Sequence, residues 1–320
     1  MQLREGIRRV EVPTCLPIGQ VNVYVFQGEP LTLIDTGPRI PDAYDALKRQ
    51  LKSLDHSTND IGRIIITHGH VDHHGLTEVL RRDSGAEVIA PEGDAEIVGN
   101  FRVTYEKKRN KYREMFLRTG IPIETCKLIE GFFDYLSLLA EATTVSKVVK
   151  DGDVVDVGPC KLRAIHTPGH SPGSTCYYDP EGYLFSGDTM IKDTVPVAAF
   201  GSASGDSIGL PDYLSSLSKL EKLDVKMVNP GHKSEFKDVP AYSALIHSQV
   251  EGRQAAMLQL LRKEPCNACD LTNRLFGPLG IQDIFLAMTE VLGHLEMLAA
   301  EGKVKRKEKD DCDFYSIVSD

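Results

Sequence analysis

His68, His70, Asp72 and His73 crowd into the segment Thr67-His68-Gly69-His70-Val71-Asp72-His73-His74-Gly75, four lone-pair donors within six positions. Neutral imidazoles and carboxylates take a cation without first losing a high-pKa proton, so this density suits zinc, iron or manganese. An incidental polar loop accounts for a lone histidine far better than for this set. Three further donors each sit in a turn rich in glycine or proline: His170 in Thr167-Pro168-Gly169-His170-Ser171-Pro172-Gly173, Asp188 in Phe185-Ser186-Gly187-Asp188-Thr189, and His232 in Asn229-Pro230-Gly231-His232. Tight turns of this kind hold a side chain at a loop tip. Singly each is an ordinary turn residue; together with the first cluster they form a candidate metal site. His74 and His166, beside the donors, are expected to be structural, His74 at the surface or in loop packing.

The elements that must position these donors alternate in type. Val21–Phe26 and Leu31–Ile34 are β-rich runs around the turn Gln27-Gly28-Glu29-Pro30, which predicts a hairpin. Residues 41–54 carry Leu47, Leu51 and Leu54 at helical spacing, and 63–67 is a short apolar run of the buried-strand kind. A helix over 76–82 and a strand over 87–90 follow. Between about 94 and 148 long helical patterns replace strands, with Tyr105, Lys108, Tyr112 and Met115 on one face and Phe132, Phe133, Leu136 and Leu139 on another. Strands resume at 153–157, 161–165, 175–178 and 183–185, then a helix over 211–223 and a strand at 226–228. Every donor loop therefore follows a predicted strand, the place where α/β folds put chemistry. From 241 onward three helices (241–261, 269–276 and 281–301) precede strand-like 303–306 and 313–317, a winged-helix outline. The expected division is a main α/β domain over 1–240, holding a helical insertion over about 94–148, and a small C-terminal domain over 241–320.

Composition narrows the partners. With 46 acidic against 37 basic side chains the formal charge is −9, which disfavours a general nucleic-acid coat and leaves a small-molecule substrate as the expectation. No apolar run is long enough to span a bilayer, so no membrane partner is expected. Residues 1–12 alternate charged and apolar side chains without the layout of a secretory signal, and the seven cysteines form an odd, scattered set. Free thiols in the cytoplasm are the expectation.

The H-x-H-x-D-H cluster, the later lone His170, Gly187-Asp188-Thr189 and Pro230-Gly231-His232 come in the order of the metallo-β-lactamase superfamily, which this chain resembles over most of residues 15–235. Asp35-Thr36-Gly37 resembles the Asp-Thr-Gly that follows the second strand in that family. The resemblance implies an αββα sandwich and two divalent ions, zinc first, with iron or manganese as alternatives. It puts His68, His70 and His170 on one ion and Asp72, His73 and His232 on the other, Asp188 bridging, and Asp35 supporting the metal loop from behind. Two cations sharing a water would depress its pKa toward neutrality, and the hydroxide would attack a carbonyl or phosphoryl centre while Asp72 orients it. Flavodiiron oxidoreductases carry Glu where this chain has His70, which disfavours oxygen reduction. The tail, with Leu295 to Ala300 running into Glu301-Gly302-Lys303-Val304, resembles the β-lactamase-like protein 2 group, near glyoxalase II in motif style.

The expected reaction is hydrolysis of a small ester, thioester or lactone. One alternative is a phosphodiesterase or endoribonuclease that docks RNA through Lys303, Lys305, Arg306, Lys307 and Lys309, although Glu308, Asp310, Asp311 and Asp313 offset those charges. Another is a persulfide dioxygenase using one iron on the same ligand motif. The insertion either caps the site, with Tyr105, Tyr112, Phe132, Phe133 and Tyr135 lining an apolar pocket, or serves helix packing or a homodimer contact. Lys107, Lys108, Arg109, Lys111 and Arg113 are read as a solvated face, or as a meeting point for an anionic substrate tail. Cys266 and Cys269 are expected to be chance spacing at a helix start. Residues 193–210, rich in Gly, Ser and Ala, read as a mobile loop that shares in specificity.

Overall fold

The structure, a computed structural model, describes residues 1–194 and 207–318; most of the specificity loop expected over 193–210 lies outside them. Strands β1 (Gln2–Arg4), β2 (Ile7–Val12), β3 (Val21–Phe26) and β4 (Leu31–Ile34) form an antiparallel meander. Helix α1 (Pro41–Lys52) then crosses to β5 (Ile61–Ile65), parallel to β4. The one-turn helix α2 (Val71–His74) and α3 (Thr77–Ser84) lead to β6 (Glu87–Pro91), and the helices α4 (Ala95–Gly99), α5 (Phe101–Leu117) and α6 (Ile123–Leu136) intervene before β7 (Lys147–Val149) closes a seven-stranded sheet. The insertion thus ends in a sheet strand, β7, which pairs parallel with β6. The alternating residues 1–12 are β1 and β2, so their period of two marks strands.

A second sheet holds β8 (Val154–Asp156), β9 (Lys161–His166), β10 (Thr175–Asp179), β11 (Tyr183–Gly187) and, after α7 (Leu210–Leu220), β12 (Met227–Pro230), parallel to β11. Strands β9, β11 and β12 run the same way because β10 is antiparallel to both β9 and β11. The C-terminal unit is α8 (Val239–Lys263), β13 (Cys266–Asn267), α9 (Ala268–Phe276), α10 (Ile281–Ala300), β14 (Val304–Lys309) and β15 (Cys312–Ile317), its strands forming a three-stranded sheet in the order β13-β15-β14.

The two large sheets are buried on both faces, which accounts for their near-continuous apolar runs. In β3, Val21, Val23 and Val25 turn outward onto Leu47, Leu51 and Leu80 of α1 and α3. Tyr24 and Phe26 turn inward onto Phe185, Tyr177 and Leu162 of the second sheet. The far face of that sheet packs through Cys176, Leu184 and Val228 on Tyr213 and Leu217 of α7 and on Tyr242 and Ile246 of α8. Helix, sheet, sheet and helix are the four layers of the expected α/β sandwich.

A fourth core joins the insertion to the C-terminal unit. Tyr112, Phe116 and Phe133 meet Phe285 of α10 at ring-centroid distances of 5.1, 5.8 and 5.2 Å, and Met257, Leu271, Val291 and Leu295 complete the cluster. Of the aromatics expected to line a pocket, Tyr105, Tyr112 and Phe133 are therefore buried in helix packing, while Tyr135 is exposed. Arg118 binds Asp313 of β15 at 2.8 Å and Glu308 of β14 at 2.6 Å. Of the acids expected to offset the C-terminal basic cluster, Glu308 thus turns to the insertion, while Asp313 is shared between Arg118 and Arg306 of β14, the latter at 3.6 Å. Among the described residues no helix is long and apolar enough to cross a membrane.

Candidate metal centre

All seven donors converge at one end of the sandwich. His68 and His70 lie in the loop between β5 and α2, Asp72 and His73 on α2, and His170, Asp188 and His232 just after β9, β11 and β12. Ligand atoms of three groups lie within 4.8 Å of one another: His68, His70 and His170; His68, His73 and Asp188; Asp72, His73 and His232. His70 Nδ1 is 2.9 Å from His170 Nε2, and His73 Nε2 is 3.3 Å from His232 Nε2. Asp188 stands between the two sides, with Oδ1 at 3.3 Å from His73 Nε2 and Oδ2 at 3.6 Å from both His170 Nε2 and His232 Nε2.

Hydrogen bonds behind the donors fix which nitrogen faces inward. Asp35 is buried and accepts from the Thr67 amide at 2.8 Å, the Thr67 hydroxyl at 2.8 Å and His73 Nδ1 at 2.8 Å. With its proton spent on Asp35, Thr67 Oγ1 accepts from His68 Nδ1 at 3.0 Å. His232 Nδ1 donates to the Gln20 carbonyl at 2.8 Å. Each of these rings is left with a lone pair on Nε2 directed into the centre, the arrangement metal-binding imidazoles adopt. Asp35 itself has φ of 61°, unusual for a residue with a side chain, and its amide donates to the Ile65 carbonyl at 2.9 Å.

His68 Nε2 is fully buried and has no hydrogen-bond partner, a costly state for an imidazole unless the atom gives its lone pair to a cation. Electrostatics point the same way. Burial raises the cost of charge on Asp72 and Asp188, yet His73 and His232 hold both carboxyls below their ordinary range. Burial likewise disfavours charge on His73, but Asp188 and Asp35 raise it well above the histidine value. Burial and neighbouring rings push His68 and His70 well below it. Three buried carboxylates thus call for positive charge on the His73 side, while His68 and His70 stay neutral donors. The donor set fits divalent cations.

Sequence reasoning missed Asp94, which lies where the insertion begins. Its buried carboxylate accepts from the Gly69 amide at 2.7 Å, Ser171 Oγ at 2.6 Å and the Gly173 amide at 3.0 Å, tying the His70 loop to the His170 loop. An Asp in a Pro-Glu-Gly-Asp turn carries no signal of that task. Gly231 needs to be glycine, because a Cβ there would collide with Asp188 Oδ1 and His73 Cε1. His74 is buried and packs edge-on against Phe101 at 5.3 Å, which corrects a surface placement and leaves the loop-packing one. His166 binds the Pro172 carbonyl through Nε2 at 2.8 Å, a structural contact. Among the described residues no cysteine joins a metal-competent group; Asn267, between Cys266 and Cys269, caps α9 by accepting from the Asp270 amide at 2.8 Å.

The fold and this centre define a metallo-hydrolase. The metallo-beta-lactamase superfamily model matches residues 16–232, and a metallo-beta-lactamase-like C-terminal domain matches residues 255–316. The chain belongs to the metallo-beta-lactamase superfamily. It is 28% identical to the probable metallo-hydrolase YqjP of Bacillus subtilis, over 93% of each chain. It is 26% identical to a beta-lactamase-like protein 2 homolog of Caenorhabditis elegans, over 89% of this chain and 80% of that one. A stretch covering 30% of this chain and 34% of the other is 33% identical to the acyl-coenzyme A thioesterase MBLAC2 of Homo sapiens. The crystal structure of the metallo-beta-lactamase family protein TTHA1429 from Thermus thermophilus superposes with a TM-score of 0.84 at 27% identity, over 99% of this chain and 100% of that one.

Proposed function

We propose that the protein is a two-metal hydrolase of small thioesters or related esters. The observation that carries this reading is the pair of donor groups sharing Asp188, His68 with His70 and His170 on one side and Asp72 with His73 and His232 on the other. Two divalent ions, zinc first on the nitrogen-rich donor set, would supply Lewis acidity and bring a shared water to hydroxide near neutral pH. The Asp72 carboxylate, buried and held ionised, would orient that nucleophile. Water's oxygen forms the new bond to the acyl carbon, the carbon–sulfur bond breaks, and the thiol leaves with a proton. Asp35, Thr67 and Gln20 keep the imidazoles in the tautomers that bind cations throughout.

The thioesterase relative favours sulfur esters over lactones or phosphodiesters. The order of the C-terminal elements, helix, strand, helix, helix, strand, strand, we read as a winged-helix-like unit that buttresses the insertion through the Phe285 core. This reading is tested on protein purified with its native metal, by elemental analysis and by turnover of thioesters, lactones, phosphodiesters and structured RNA beside His70→Ala and Asp72→Ala. Two ions per chain and thioester turnover that falls at least about a thousandfold in both variants are expected, since each removes a donor to the ions that carry the chemistry. Hydrolysis surviving both substitutions would sink it; a single iron with oxygen consumption would replace it with a dioxygenase.

A further inference from the structure

Helix α5 presents Phe101, Tyr105, Lys108 and Tyr112 on one stripe at spacings of four, three and four. The stripe starts at the metal loops, where the Phe101 ring meets His74 at 5.3 Å, and continues to Tyr105 at 5.1 Å from Phe101. Tyr105 and Tyr112 are spent in the aromatic core with Phe133. Lys108 is the charged member of an otherwise aromatic row. It is half-buried, its Nζ lying 6.0 Å from the centroid of the Tyr112 ring.

Its neighbours on the same helix behave as ordinary surface cations. Lys107 pairs with Glu96, Arg109 with Asp134 and Arg113 with Glu130. Among the described residues no carboxylate lies within ion-pair distance of Lys108, so a partly desolvated ammonium is left without the partner that burial normally demands. Burial pushes it below the ordinary lysine value and the more distant Asp94 draws it back. Asp94 is the carboxylate that holds the Gly69 and Gly173 amides and the Ser171 hydroxyl, so it is already engaged with three donors. The field of Lys108 also reaches His70, where it adds to the larger effects of burial and His170. Lys108 therefore stands on the stripe that starts at the metal loops, near enough for its charge to act on Asp94 and His70, and it forms no ion pair among the described residues.

We propose that Lys108 is a specificity-determining residue that binds an anionic group, carboxylate or phosphate, carried by the thioester substrate close to its scissile bond. The inference rests on the thioester reading for the reaction but on the α5 geometry for the charge. An ammonium on a flexible stem, half-buried beside the Tyr112 ring, is suited to a single anionic oxygen. Nothing in its placement requires the anion to be on the acyl rather than the thiol side, so the two are separated by experiment.

Turnover is measured on the metal-loaded protein and on Lys108→Met with three probes: a succinyl thioester of a neutral thiol, an acetyl thioester of mercaptoacetate, and an acetyl thioester of a neutral thiol. The ratio of kcat/KM for one charged probe over the neutral probe is expected to fall on the order of tenfold to a hundredfold through KM, the worth of a hydrogen bond to a charged group. The responding probe assigns the anion to the acyl or the thiol side. Lys108→Arg, which keeps the charge, is expected to recover most of the ratio, and metal content reports whether either variant has lost the centre itself. An unchanged ratio in Lys108→Met for both charged probes would overturn the proposal. If the unsubstituted protein hydrolyses no probe, the thioester reading fails and calorimetry decides the lysine. The affinity of mercaptoacetate over mercaptoacetamide must drop toward unity in Lys108→Met, and a ratio that stays put overturns it.

Discussion

In the metal centre the imidazoles of His68, His73 and His232 are each aimed by a hydrogen bond behind the ring, His73 by Asp35, which Thr67 holds in turn. In the core shared by α5, α6 and α10, aromatic rings meet at centroid distances of 5.0 to 6.2 Å and are held chiefly by their shapes. The first region stores its information in donor and acceptor geometry, the second in volume. Damage to one should therefore read out differently from damage to the other. Loss of a hydrogen bond should release metal from a folded chain, while loss of volume should unfold a chain whose centre still binds.

The largest effect expected is on the volume side. Phe116 is 1% exposed and packed between Tyr112 and Phe285, so Phe116→Ala removes a ring that joins the insertion to the C-terminal unit. Unfolding in denaturant should show a loss of about 3–5 kcal/mol. Metal content per folded molecule should not change. If metal is lost at denaturant concentrations where far-ultraviolet dichroism is intact, the two regions are not separable in this way.

A buried histidine in each region sharpens the contrast. His74 beside the centre and His294 in α10 are both pushed by burial to about 4, with His73 and Arg253 respectively adding to the effect. His294 is 3% exposed and lies outside the donor set. Its folded value lies below the ordinary 6.5, so the unfolded chain binds the proton first as pH falls. Stability from this residue is unaffected above pH 6.5, then declines as pH drops toward about 4. The full decline is about 3 kcal/mol. Between pH 7 and pH 4.5 the unfolding free energy of the unsubstituted protein should fall relative to that of His294→Leu by most of that amount. Parallel curves would mean that His294 is solvated or paired in the folded chain.

How much of this was legible in the sequence follows the same division. The donors announce themselves because histidine is rare and glycine and proline fix the turns around it, and the strands ahead of each loop are apolar enough to read directly. Asp94 was not legible: a carboxylate in a turn looks the same whether it faces water or three donors on two distant loops. Strands β1 and β2 were passed over although their alternation has period two, because β1 is a short edge strand and charged Arg8, Arg9 and Glu11 interrupt the apolar face of β2. The periodicity of α5 and α6 placed Tyr105, Tyr112 and Phe133 on apolar faces, missed Phe116 and Ile129, and left open whether those faces meet a pocket, other helices or a second copy. Phe285, more than 150 positions away, is a contact that only tertiary structure supplies.

The smallest effect tests the centre against itself. Asp94 touches the loops of His70 and His170 and none of the groups behind Asp72, His73 or His232. In Asp94→Asn one carboxylate oxygen becomes an amide that faces a donor, either the Gly173 amide or the Gly69 amide with Ser171 Oγ, so one loop must shift. The ion held by His68, His70 and His170 should lose about ten- to a hundredfold in affinity, the usual consequence of removing a contact behind a ligand. The ion on the Asp72, His73 and His232 side should hold, because its imidazoles are aimed by Asp35 and Gln20 instead. Competition with a chromophoric chelator resolves the two sites as a split titration in the variant. Equal weakening of both would show that Asp188, common to the two groups, transmits the shift, and the centre would then behave as one unit.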